Sequence, residues 1–176
     1  MKTWLTLMLL TALTASLNAQ EANNVNSDPM STLKNYTVLS DTTMSAGLPE
    51  REHFELLKAS GLTHVIDLIP DDRTEERMLL EELDLNYLNI PVDWENPTIE
   101  NFQFYVAQMQ MNTQEGGVTL THCRLNWRGA VFSYLYQVTQ LGIPEAEAKQ
   151  TMLNIWQPNE VWQSYIEDVL AHYEFK

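Results

Sequence analysis

Short apolar runs alternate along this chain with longer stretches whose apolar residues recur every three to four positions. That alternation constrains the fold more than any other feature, because a buried strand and an amphipathic helix each need the other to cover an apolar face. The runs His64-Val65-Ile66-Asp67-Leu68-Ile69 and Val118-Thr119-Leu120-Thr121 are rich in β-branched residues and suit strands buried on both faces. Residues 36–39 and 87–90 read as further strands, and 41–47 as a strand or turn. Pro49 opens a helix through Phe54, Leu56 and Leu57, which Gly61 closes. In 74–83, Glu75, Glu76, Glu81 and Glu82 take one side, and Met78, Leu79, Leu80 and Leu83 the other. Thr98 caps a helix carrying Ile99, Phe102, Val106 and Met109. Three helical segments finish the chain: one starting near Ala130, one from Pro144 to about Trp156, and one carrying Val161, Trp162, Tyr165, Ile166, Val169 and Leu170. The pattern predicts an α/β fold with a mostly parallel central sheet and helices on both faces.

The first residues obey a different logic. Met1-Lys2 is followed by a short apolar stretch and by Ala19, where cleavage would fall, so 1–19 reads as a secretory signal peptide. Residues 20–32 lack any apolar period and read as a flexible lead-in, which leaves 33–176 as one domain. The expectation is a periplasmic or secreted protein with no membrane anchor after signal cleavage. Asp and Glu number 24 against 10 Lys and Arg, a net charge of −14. Such a surface repels phosphate backbones and anionic headgroups, which excludes nucleic acid and membrane-surface partners and disfavours highly anionic substrates.

An exported chain usually pairs its cysteines, yet this one has a single cysteine, Cys123. It is either buried filler or a useful thiol, and its neighbours bear on the choice. His122-Cys123-Arg124-Leu125-Asn126-Trp127-Arg128-Gly129 lies between an apolar strand and a helix. A strand that turns tightly into a helix aims successive N–H groups and the positive end of the helix dipole at one point, where an anion can sit. The same field favours the thiolate of Cys123. Arg128 at a helix start opposes the dipole unless an anion compensates. Arg124 adds positive field or points to solvent. His53, His64 and His172 lack ligand spacing, so no metal is expected.

His-Cys, a short loop and Arg, between a strand and a helix, resembles the signature of the protein tyrosine and dual-specificity phosphatase superfamily. Residues 61–70 and Ile90-Pro91-Val92-Asp93-Trp94-Glu95-Asn96-Pro97-Thr98 resemble its small bacterial branch. The resemblance implies a phosphatase-like fold and hydrolysis of phosphate monoesters on a phosphorylated protein or a small molecule, without a cofactor. Cys123 would be the nucleophile, Arg128 and the backbone of residues 124–129 the phosphate cradle, and His122 a support behind the thiolate. Asp93, thirty residues before the cysteine, would be the general acid, with Asp67, Asp71 and Glu95 as alternatives. His122 also reads as a buried histidine satisfied by backbone, and Trp127 as a pocket wall or as packing.

Two departures stand out. Four residues separate Cys123 from Arg128, where the superfamily commonly has five, and Gly129 stands where Ser or Thr usually helps the thiolate leave. The second implies slow turnover of a phospho-cysteine. The four-residue spacing is also that of rhodanese-like sulfurtransferases, although Asn126 stands where those usually place Gly. A third reading is a catalytically silent anion-binding protein.

Overall fold

The computed structural model describes residues 28–175. The signal-peptide expectation for 1–19 lies outside them, as does most of the lead-in. In the rest of that lead-in, the Asp28 side chain caps a 3-10 turn, Pro29–Thr32, and the Thr32 hydroxyl lies 2.8 Å from His53 Nε2. A cap and one hydrogen bond to a helix place these last residues of a stretch that carries no apolar period.

Five strands form one sheet in the order β1-β2-β5-β3-β4: β1 (Thr37–Ser40), β2 (Thr43–Ala46), β3 (His64–Asp67), β4 (Asn86–Asn89) and β5 (Thr119–His122). Only the β1–β2 hairpin is antiparallel, and β2, β5, β3 and β4 run parallel. The helices are α1 (Arg51–Ala59), α2 (Thr74–Glu82), α3 (Ile99–Gln114), α4 (Trp127–Gln140), α5 (Glu145–Ile155) and α6 (Glu160–His172). The expected α/β architecture is what forms.

Two apolar clusters lie on opposite faces of the sheet. Phe54 and Leu57 of α1 and Leu80 of α2 pack with Met44, Val65 and Leu120. On the other face α3 to α6 bury Phe102, Tyr105, Val131, Phe132, Met152 and Trp162 with Ile66, Leu68 and Cys123. Helices therefore cover both faces, as the complete burial of β3 and β5 requires.

Local chemistry sets the ends of these elements. β3 stops at Asp67 although Leu68 and Ile69 stay fully buried, because the Asp67 carboxylate turns back to accept from Ile69 N at 2.9 Å. Thr98 caps α3 as expected, with Asn101 completing a reciprocal capping box. The α2 face differs from expectation: Met78 is 60% exposed and Leu80 alone is fully buried, while Glu76 turns inward. Helix α4 begins at Trp127 rather than near Ala130, so Trp127, Arg128 and Gly129 form its first turn.

The registers align Ala46 of β2 and Asp67 of β3 with His122 of β5. Three parallel strands thus end at one level, where the connections that follow them open a crevice at their carboxyl ends. Because side chains alternate along a strand, Leu120 and His122 face α1 and α2, while Thr121 and Cys123 face α3 and α4.

Candidate active site

Cys123 follows directly on β5 and is buried, with its N–H donating to Ala46 O at 3.3 Å. The loop after it is clasped from the side by the chain around β2. Leu48 N donates to Arg124 O at 3.2 Å, and Asn35 Nδ2 donates to Leu125 O at 2.9 Å. Asn126 then takes a left-handed conformation, φ 63 and ψ 12, which turns the chain into α4. Asparagine tolerates that region better than most residues. The first α4 backbone hydrogen bond runs from Ala130 N to Asn126 O at 2.8 Å. The N–H groups of Trp127, Arg128 and Gly129 head the helix without an i−4 carbonyl to meet, the arrangement that holds an anion.

Cys123 and Arg128 line one pocket of about 210 Å³ together with Trp94, Arg124, Leu125 and Trp127. Arg128 is buried, its Nε–H donates to Val92 O at 2.9 Å, and its guanidinium carbon lies 5.2 Å from the centroid of the Trp94 ring. Among the described residues no carboxylate pairs with it, so its terminal nitrogens remain for a ligand. Arg124 is exposed and pairs with Asp71 at the pocket mouth. A larger hollow of about 440 Å³ between α5 and α6 holds Tyr134, Glu145 and Lys149 but neither Cys123 nor Arg128.

Tryptophans build the wall. Trp94 packs 5.7 Å from Trp127, 5.4 Å from Trp156 and 5.2 Å from Trp162, and Trp127 stacks on Trp156 at 5.1 Å and 10°. Two of their indole N–H groups are spent on backbone: Trp162 Nε1 donates to Trp94 O at 3.1 Å and Trp156 Nε1 to Trp127 O at 3.0 Å. Both the 92–94 loop and the cysteine loop are thereby anchored to the last two helices. Trp127 is therefore both pocket wall and packing.

Asp93 stands apart from the pocket lining. It is exposed, and its Oδ1 accepts from Glu95 N at 2.8 Å and Asn96 N at 2.9 Å, capping its own turn. Of the alternative acids, Asp71 reaches only the mouth, Glu95 is exposed, and Asp67 lies on the other face of the sheet.

On that other face His122 meets a buried charge cluster that sequence reasoning did not assemble. His122 Nε2 lies 2.9 Å from Glu76 Oε1 and 3.9 Å from Asp67 Oδ1, and Phe54 packs edge-on against the ring. The Glu76 approach is not an aligned hydrogen bond, since among the described residues neither atom has a partner of proper geometry. Arg73 bridges the carboxylates, its Nε 2.5 Å from Asp67 Oδ2 and an Nη on Glu76, and the Tyr87 hydroxyl donates to Asp67 Oδ2 at 3.0 Å. Burial pulls the Arg73 guanidinium down, but the hydrogen bond and charge of Asp67 and the charge of Glu76 outweigh it, so the group is held above its usual value. Burial, reinforced by the charge of Asp67, pushes the Tyr87 hydroxyl well up. One ligand atom each from Asp67, Glu76 and His122 falls within 4.8 Å of the others, a spacing that would suit a cation, and Arg73 already supplies one. The backbone-satisfied histidine considered for His122 is not what forms: its ring faces Glu76 and Asp67.

Comparison with solved structures follows this geometry. A DUF442 phosphatase-like protein of Shewanella putrefaciens CN-32 is 32% identical, with a TM-score of 0.73 over 82% of this chain and 97% of that one. This chain belongs to the DUF442 family. Its fold is that of cysteine-dependent tyrosine and dual-specificity phosphatases, as the resemblance of the cysteine loop implied. TpbA of P. aeruginosa, solved as a cysteine-to-serine variant with phosphotyrosine, shares the fold at 19% identity and a TM-score of 0.64, over 85% of this chain and 94% of its own. A human tyrosine phosphatase-like serine/threonine/tyrosine-interacting protein shares it at 16% identity and a TM-score of 0.62, over 79% and 97%. No protein-family model and no curated protein sequence matches the chain. Within this DUF442 chain, the residues that pattern alone left unmarked are Trp94, Arg73 and Glu76. Trp94 follows Asp93 directly, and that adjacency was the available signal; Glu76 had none, being one glutamate among several on α2.

Proposed function

We propose that this protein hydrolyses phosphate monoesters through a phospho-cysteine at Cys123, in the periplasm or outside the cell. The observation that carries the reading is the shared pocket of Cys123 and Arg128 at the head of α4, beneath N–H groups left open by the helix start. The Cys123 thiolate attacks phosphorus, forming the S–P bond as the bond to the ester oxygen breaks. Arg128 and the loop N–H groups take up charge on the equatorial oxygens. Asp93 protonates the leaving oxygen once its carboxyl group leaves the Glu95 and Asn96 amides, and then accepts a proton from the water that attacks phosphorus and releases the thiolate. His122 supports the loop from behind. The phosphotyrosine complex of TpbA favours a phosphoester as substrate, on a protein or a small molecule. With Gly129 in place of a hydroxyl, release of the thiolate is the slow step. For location, the support is the leader-like 1–19 segment; no helix among the described residues is long and apolar enough to cross a membrane.

The test is aryl-phosphate hydrolysis by the wild-type protein across mildly acidic pH, with Cys123→Ser and Asp93→Asn in parallel. Activity that vanadate blocks and Cys123→Ser abolishes is expected, with a phosphorylated Cys123 trapped by mass spectrometry. Asp93→Asn should lower turnover about a hundredfold on esters with poor leaving groups. Release of thiocyanate from thiosulfate and cyanide without phosphatase activity would replace the reading with sulfur transfer. Neither activity, with stabilisation by phosphate, would leave a silent anion-binding protein.

A further inference from the structure

The carboxamide of Asn126 is fully buried, and the loop is built around it. Its Nδ2 donates to Asn35 O at 2.7 Å and to Ser45 Oγ at 2.9 Å, tying the left-handed turn to the chain before β1 and to β2 itself. Rotating the amide by half a turn would set Oδ1 against the Asn35 carbonyl, acceptor against acceptor, so the two donations also fix where Oδ1 points. It points at Gly129: a Cβ there would lie 2.4 Å from Asn126 Oδ1, with Thr121 O at 3.6 Å behind it. Among the described residues Oδ1 has no conventional donor, and it fills the place a Cβ of residue 129 would take. A flexible side-chain end could usually swing clear of such a clash, but this one is held by two hydrogen bonds inside a packed interior.

We infer that Asn126 is the positioning residue that shapes this four-residue anion loop, and that Gly129 is glycine because the Asn126 carboxamide occupies the space of a side chain. Any side chain at 129 then acts on the anion site through Asn126, by prising the turn from Asn35 and Ser45. The missing hydroxyl after Arg128 and the shortened loop are, on this account, one adaptation rather than two. The inference rests on the anion-site reading for its binding readout, but not for its stability readout.

The experiment is a double-mutant cycle on the full chain, with Asn126→Gly, Gly129→Ala and both together. Glycine is chosen at 126 because the backbone there is left-handed. Vanadate affinity and the thermal midpoint are measured for all four proteins. Gly129→Ala should weaken vanadate about tenfold and lower the midpoint in the wild-type background, and do neither once Asn126 is glycine. Equal costs in both backgrounds, or no cost in the wild type, would overturn the coupling. If Gly129→Ala alone fails to fold, a folded double variant supports it and an unfolded double beside a folded Asn126→Gly refutes it. If the wild type binds no vanadate, the anion-site reading has failed, and the midpoints alone still decide the coupling.

Discussion

Glutamate 76 offers a sharp test of how the buried charge cluster supports the site. Glu76 and Glu82 sit on the same short helix, α2, and each contacts a cation or imidazole in good range. Glu82 holds Arg51 through both oxygens, at 3.2 and 2.7 Å, but the two side chains are 65% and 47% exposed. Glu76 has a side chain 9% exposed, wedged between Arg73 and a His122 ring that is fully buried. Glu76→Gln leaves the volume almost unchanged and removes one negative charge. Arg73 keeps Asp67, but His122 then faces a neutral amide. Removing one partner from a buried charged set costs about 3 kcal/mol, which for a domain of this size lowers the thermal midpoint by roughly 10 °C. Glu82→Gln should leave the midpoint almost unchanged, because water screens the exposed pair. Paired thermal and urea unfolding of the two variants is the assay, followed by vanadate binding on whichever remains folded. Vanadate affinity should fall for Glu76→Gln alone, since His122 adjoins Cys123. Equal midpoints for the two variants would refute the argument.

Other expectations follow from the same geometry. Trp162→Phe keeps a ring in the core but deletes the hydrogen bond to Trp94 O, costing about 1–2 kcal/mol; vanadate binding should weaken with it, because the 92–94 loop also carries the Val92 carbonyl that orients Arg128. Burial pushes the Tyr105 hydroxyl from 10.0 up to about 12, against a smaller opposing effect of its hydrogen bond with Thr121. A raised value means that the unfolded chain loses this proton first, so the stability it contributes is complete below pH 10.0 and lost as pH approaches about 12. Burial raises the Tyr134 and Tyr165 hydroxyls in the same direction. Urea midpoints should therefore fall through that alkaline window, and less steeply in Tyr105→Phe. Arg124→Gln should barely change stability, its pair with Asp71 being exposed, and should change the KM for an anionic substrate more than kcat.

Much of the architecture was legible as pattern. The β-branched runs around β3 and β5 marked strands covered on both faces, and the Thr98 cap placed the start of α3. A cysteine, a short loop and an arginine between strand and helix marked the site, because all those residues lie on one connection and their approach is local. The boundary of α4 was missed by three residues, since periodicity starts at Val131 while the turn is set by the left-handed Asn126. The inward turn of Glu76 and the exposure of Met78 ran against the amphipathic reading of α2.

What the chain order determined by itself was thus the alternation of elements and the placement of a cysteine beside an arginine at the head of a helix. Tertiary structure alone decided which groups surround them. Glu76 and Arg73 from α2 meet Asp67 from β3 and His122 from β5 only because β3 and β5 pair in the register that sets Asp67 beside His122. Trp94 lies against Arg128 only because the last two helices fold back and hold its loop. Asp93 turns to its own backbone, although its spacing from Cys123 suggested a carboxylate over the thiol. Periodicity records which face of an element is apolar. It carries no information about which polar group on another element will complete a buried charge, because that choice depends on contacts between residues far apart in the chain.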